Sequence, residues 1–268
     1  MALPIDFITR TRALLGNEFD RLEAALGADV PVSIRINEKK GTPAPKAGAP
    51  DSRVAWCETG YYLPERLSFT FDPLFHAGAY YVQEASSMFL EQAIRNYVKA
   101  PVRCLDLCAA PGGKSTHLLS LLPEGSLLVS NEVIRSRSNI LAENIAKWGN
   151  PNSIVTNNDP EEIGHLTHLF DVIVTDVPCS GEGMFRKDTD STGEWSVANV
   201  ELCAGRQRRI IHDIWNALKP GGLLVYSTCT YNTEEDEENI HYIIEELGAK
   251  ARPAQTLPPG LPLSPALD

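Results

Sequence analysis

Cys104-Leu105-Asp106-Leu107 runs straight into Cys108-Ala109-Ala110-Pro111-Gly112-Gly113-Lys114-Ser115. A short apolar run, a cluster of small residues and a helix-forming stretch read as a buried strand, a tight turn and a helix start. The same alternation continues downstream. Helices are expected from Lys114 to Leu122, Arg135 to Trp148, near 199–218 and over 233–247. Strands are expected over 127–129, 153–156, 170–177 and 222–228. Apolar strands that do not alternate, separated by helices, are the mark of a parallel sheet covered on both faces. The fold class is therefore α/β, a Rossmann-like doubly wound sheet, whose ligands bind at the carboxyl ends of the strands.

Upstream the pattern differs. Residues 4–15 and 18–26 read as helices ended by Gly16 and Gly27, and 32–36 alternates like a strand. Residues 38–53 are rich in Pro, Gly and Lys and read as a loop, 54–63 as a strand and turn, and 85–97 as a helix. The expected organisation is an α+β N-terminal unit over 1–100, the sheet domain over 101–252 and a Pro-rich tail over 253–268.

The chain has 268 residues, 43% of them hydrophobic and 22% charged, which places it among globular proteins. No apolar run approaches bilayer-spanning length, and the first residues do not resemble a signal peptide. With six cysteines and no such signal, a cytoplasmic protein with reduced thiols is expected. No CxxC pair or spaced histidines support zinc, so no metal is expected. The net charge of −11 speaks against a nucleic-acid partner. Much of the excess, however, sits in Glu234, Glu235, Asp236, Glu237, Glu238, Glu245 and Glu246, which read as a solvated helix face. Basic clusters remain at Arg186-Lys187 and Arg206-Gln207-Arg208-Arg209.

The strand tips carry the chemistry. A P-loop would need a glycine where Cys108 stands, and no G-x-G-x-x-G is present. S-adenosylmethionine is the third ligand class: its methionine part suits a close turn of small residues beside an acid. A tight turn without ligand remains open. Glu132, after the second strand, suits ribose hydroxyls or is a surface acid. Asp159, after the third, suits an adenine amino group or caps a helix. The fourth strand ends in Asp176-Val177-Pro178-Cys179-Ser180-Gly181 and the fifth in Ser227-Thr228-Cys229-Thr230. Adjacent strands would bring Cys179 and Cys229 to one cleft near Asp176, whereas Cys57, Cys104, Cys108 and Cys203 read as buried thiols. A thiol, a carboxylate and S-adenosylmethionine together suit methylation at C5 of a pyrimidine. Addition of a thiolate to C6 makes C5 nucleophilic, and the base must first leave its stack.

These motifs resemble the Sun/Fmu/nucleolar-protein family of RNA cytosine-C5 methyltransferases, over about residues 30 to 248. Gly181-Glu182-Gly183-Met184-Phe185-Arg186-Lys187-Asp188 resembles its bacterial 16S rRNA branch, the RsmF-like proteins. The resemblance implies a class I methyltransferase sheet and an S-adenosyl-L-methionine cofactor lined by Cys108, Ala109, Ala110, Pro111, Gly112, Gly113, Lys114, Glu132, Asp159 and Asp176. It implies Cys229 as nucleophile, Cys179 in release of the adduct, and Asp176 on the cytosine. It also implies an RNA-binding N-terminal unit with Arg35 and Asn37 at an Arg-x-Asn motif, and phosphate contacts from Arg186 and Lys187. The residues themselves do not order the two thiols. Asn158 stands where the family has a glycine.

Family sheets close with two further strands. Residues 249–252 could begin one, but five prolines follow between Pro253 and Pro265. The sheet is therefore expected to lack its last strand and the chain to be a fragment, a monomer acting on 16S rRNA or the small subunit. The remaining alternatives are a non-catalytic RNA-binding assembly factor on this fold and a P-loop protein.

Overall fold

The computed structural model describes residues 3–41, 52–188 and 190–252. Backbone contacts divide the chain into two compact units. One gathers Met1–Val30, Asp176–Trp215 and Tyr226–Ala251; the other is built on Pro31–Thr175 and Asn216–Val225. The first unit opens with α1 (Ile5–Leu15) and α2 (Phe19–Leu26).

The second unit holds both sheets. In the smaller, β1 (Val32–Ile36) lies between β2 (Gly60–Leu63) and β3 (Tyr80–Val82), antiparallel to each. A short α3 (Pro73–His76), whose first turn is capped by Asp72, precedes β3. Helix α4 (Leu90–Tyr97) then leads to the larger sheet: β4 (Arg103–Asp106), α5 (Gly113–Leu121), β5 (Leu127–Asn131), α6 (Arg135–Trp148), β6 (Ser153–Thr156), α7 (Pro160–Gly164), β7 (Phe170–Asp176) and β8 (Leu218–Ser227). The strand order is β6-β5-β4-β7-β8, and β4 pairs in parallel with β5 and β7. This is the expected sheet, with the last two strands side by side. Leu105, Leu128, Val172 and Val174 on the strands and Leu118, Leu141 and Trp148 on α5 and α6 are buried, as unalternated apolar strands require.

A close approach joins the small sheet to α6. Gly78 has φ +69°, and a Cβ there would sit 2.1 Å from the Lys147 carbonyl oxygen. Only glycine permits both the left-handed backbone and the contact.

The rest of the first unit is α8 (Ser191–Glu194), α9 (Val197–Ile214) and α10 (Glu237–Glu245). Phe7, Leu26, Phe185, Trp195 and Val200 form its apolar core, with Phe7 edge-on to Phe185 and Trp195.

Two expectations change. Helix 233–247 shrinks to α10, because Asn232 and Glu235 turn inward instead of joining it. Residues 249–252 form no strand, so none follows β8 among the described residues. By backbone contacts, the N-terminal helices group with chain beyond Asp176. Most of the 38–53 loop and the tail from 253 lie outside the described residues.

Candidate active site

In the second unit, the tips of β4, β5 and β6 present one edge. Leu107 N–H bonds the Val174 carbonyl (2.9 Å) and Ala109 N–H the Asn131 carbonyl (2.9 Å), so the turn is stitched to both neighbouring strands. Asp106 is fully buried and accepts from Ser115 Oγ at 2.6 Å, which ties the strand end to α5. Gly112 has φ +111°, and a Cβ there would meet Leu141 and Asn144 at 3.3 and 3.4 Å. The loop's outer carbonyls are held from α6: Arg137 donates to Ala110 O (2.9 Å) and Asn144 to Pro111 O (2.8 Å). Gly113 opens α5, and Cys108 and Lys114 are half-buried. The result is a preshaped turn of small residues at a helix N-terminus.

Glu132 is 3% exposed and accepts from Ile134 N at 3.0 Å. Asp159 caps α7, accepting from Glu161 N (3.1 Å) while Glu162 accepts its own N–H (2.9 Å). The cap is thus one role Asp159 performs. Asn131 links the tips, donating to Leu107 O and Asn158 O and accepting from Thr156 Oγ1.

In the first unit, Cys179 and Cys229 are brought together, with sulfur atoms 2.9 Å apart and both cysteines free. Asp176, at the end of β7, accepts from Ser227 Oγ (3.1 Å), and Val177 N–H bonds Ser227 O. Cys229 is exposed and Cys179 half-buried. The bond to Cys229, and then burial, push the Cys179 thiol far above the usual range. Of the two sulfur atoms, that of Cys229 belongs to the more exposed residue. Gly183 makes the approach possible: its N–H bonds Cys229 O at 2.7 Å, and a Cβ would lie 2.6 Å from that oxygen.

Residues 98–256 match the family described as 16S rRNA methyltransferase RsmB/F. The chain belongs to this family. Residues 3–85 match the N-terminal domain of 16S rRNA methyltransferase RsmF. The ribosomal RNA small subunit methyltransferase F of Vibrio atlanticus is 35% identical, over 92% of this chain and 54% of the relative. That of Aliivibrio fischeri is 36% identical, over 92% and 55%. The crystal structure of a methyltransferase homolog from Pyrococcus horikoshii superposes with a TM-score of 0.74 at 31% identity, covering 88% of this chain and 77% of that one. The chain spans about half the length of the curated relatives it matches.

Within this RsmB/F chain, the residues expected to meet RNA fall in two groups. Arg186 is half-buried, with Nη1 donating to Ala25 O at 3.5 Å, and Lys187 is exposed. Arg35 and Asn37 are buried, 0% and 1% exposed, and this corrects their assignment as RNA contacts. Arg35 donates to Gln83 Oε1 (2.9 Å) and Thr116 Oγ1 (2.6 Å) and lies over the Trp148 ring at 4.5 Å. Asn37 donates to the Gly78 and Trp148 carbonyls, both at 3.0 Å. The Arg-x-Asn motif fastens β1 to α5 and α6. Alternation along β1 put both side chains on one face, but not which face was covered.

Sequence reading missed the acids beneath the thiols. Glu235 is completely buried, so the acidic run is not simply a solvated helix face. Asp236 accepts from Thr228 Oγ1 (2.6 Å) and Thr230 Oγ1 (3.2 Å), the two residues bracketing Cys229, and burial raises its carboxyl to about 6. A second buried group, Cys57, Glu91 and His117, lies in the other unit. Glu91 there accepts from His117, Arg95 and the Glu58 N–H, so Arg95 answers its charge. Burial lowers the His117 pKa to about 4, leaving a neutral ring. This group is a buried hydrogen-bonded network in which His117 Nδ1 has no hydrogen-bond partner among the described residues.

Proposed function

We propose that this chain carries the catalytic machinery of an RNA cytosine-C5 methyltransferase that uses S-adenosylmethionine and acts on small-subunit rRNA in the cytoplasm. The observation that carries the reading is the contact between Cys179 and Cys229 beside Asp176.

The turn from Cys108 to Lys114, with Glu132 and Asp159 at the neighbouring tips, fits the cofactor. Its small residues leave room for close approach, and Gly112 has a backbone that side chains resist. The cofactor supplies an electrophilic methyl group. Cys229 Sγ adds to C6 of a cytosine taken out of its stack, and electron density moves to C5, which accepts the methyl. Asp176 hydrogen-bonds the cytosine and serves in proton transfer to the ring as C6 is attacked. Release requires the C5 proton to leave as the S–C6 bond breaks. Cys179, a protonated thiol touching the Cys229 sulfur, assists that step. Its raised pKa and lower exposure support this order of the two thiols. Arg186 and Lys187 position the RNA through phosphate.

The test is methyl transfer from labelled S-adenosylmethionine to small-subunit rRNA, with the product mapped as 5-methylcytosine. Cys229→Ala is expected to abolish transfer and Cys179→Ala to accumulate a covalent RNA adduct. Normal turnover by Cys229→Ala would end the proposal. Cofactor binding with no transfer to any rRNA would favour an assembly factor instead.

A further inference from the structure

The two thiol loops exchange hydrogen bonds through buried acids. Glu182 follows Cys179 in its loop, yet its Oε2 accepts from Tyr231 N (2.7 Å) in the loop of Cys229. Glu235 follows Cys229, yet its Oε2 accepts from Ser180 N (3.0 Å) in the loop of Cys179. Asn232 joins the acids, donating to Glu182 Oε1 (3.1 Å) and Glu235 Oε1 (2.9 Å). Trp195 Nε1 completes Glu182 (3.0 Å) and Gln207 Nε2 completes Glu235 (2.7 Å). Both acids are almost wholly buried, 2% and 0% exposed. Every donor named here is neutral, so among the described residues the two acids are buried without a cation, a costly arrangement for packing alone.

We propose that Glu182 and Glu235, bridged by Asn232, are positioning residues that set Cys179 and Cys229 at contact distance. The chemical reason lies in the donors. Each acid receives three N–H groups, and a carboxylate accepts at both oxygens with no hydrogen of its own. An amide of the same shape turns an N–H toward at least one of those donors. Glu235→Gln therefore keeps the volume and removes at least one of the bonds that tie the two loops together. Asn232→Ser removes the bridge and leaves both acids.

This inference rests on the proposed roles of the thiols, but its test needs neither RNA nor cofactor. Phenylarsine oxide condenses with two neighbouring thiols, forming two As–S bonds and releasing one water. Wild-type protein is expected to take up one equivalent tightly, and Cys179→Ser sets the single-thiol baseline. Glu235→Gln is expected to bind the arsenical about tenfold or more weakly, because the second As–S bond depends on the effective concentration of its partner. S-adenosylmethionine affinity should stay at the wild-type value. Turnover should fall about a hundredfold, as for a misplacement near 1 Å, with cofactor KM unchanged. Asn232→Ser should shift both readouts the same way, by less. In the wild type, the Ser180 and Tyr231 amides should exchange slowly with deuterium. Wild-type arsenical affinity in either folded variant, or exchange of both amides at unprotected rates, overturns the proposal. A wild type that binds the arsenical but never methylates RNA would leave the positioning intact and remove the proposed reaction.

Discussion

Replacing Arg35 by Met separates an RNA contact from a structural clamp. Four hydrogen bonds would be lost: two long ones to the Gly113 and Thr116 carbonyls, at 3.3 and 3.4 Å, and two short ones to Gln83 Oε1 and Thr116 Oγ1, the short ones each worth about 1.5–3 kcal/mol. The stack on Trp148 adds about 1 kcal/mol. Burial acts the other way, lowering the guanidinium to about 10, a cost to the charged form of about 3 kcal/mol. Thr116 Oγ1 keeps its bond to Gly112 O, whereas Gln83 Oε1 would be left short of a donor at about 1–3 kcal/mol. The balance is a net loss of about 3 kcal/mol, within the range for breaking a buried ionic arrangement. For a chain of this size that lowers Tm by about 6–12 °C. The assay pairs thermal or urea unfolding with RNA affinity measured well below the transition. Lower stability with unchanged RNA affinity is expected. An unchanged Tm with weakened RNA binding would refute the clamp and restore Arg35 as a contact residue.

Other outcomes follow from single positions. Gly112→Ala forces a side chain into φ +111° and should cost about 1–2 kcal/mol in an unfolding titration while weakening S-adenosylmethionine binding. Gly183→Ala would push the Cys229 carbonyl away from a 2.6 Å overlap, and transfer should fall by about a hundredfold with cofactor affinity intact. Because burial raises Asp236 to about 6, the folded state favours its protonated form. That contribution is fully present below the ordinary carboxyl pKa near 4 and is lost as pH rises through about 6. The stability of Asp236→Asn relative to wild type should therefore rise between pH 4 and 7, by up to about 3 kcal/mol. A flat difference across that window would contradict the burial argument.

Much of the fold was legible because its causes are local. Strands covered on both faces leave continuous apolar runs such as Val172 to Val174, and helices leave caps and glycine stops. The third strand of the small sheet, Tyr80–Val82, carried no such mark, since three residues are too few to display a period. The turn at Cys108–Lys114 could be read because close backbone approach demands small residues in sequence. The two thiols could be placed at neighbouring tips because βα units fix the order of strands.

Residue order alone thus determined the sheet, the turn of small residues at its strand tips and the two thiols at neighbouring tips. Only the tertiary structure decided that Arg35 and Asn37 clamp β1 to α5 and α6, that Glu235 lies under the thiol loops, and that Cys179 is the more buried of the two thiols. Each of these depends on which partners arrive from distant parts of the chain. An arginine or glutamate has the same local signature on a surface as in a core, and its charge has structural meaning only once donors and acceptors surround it.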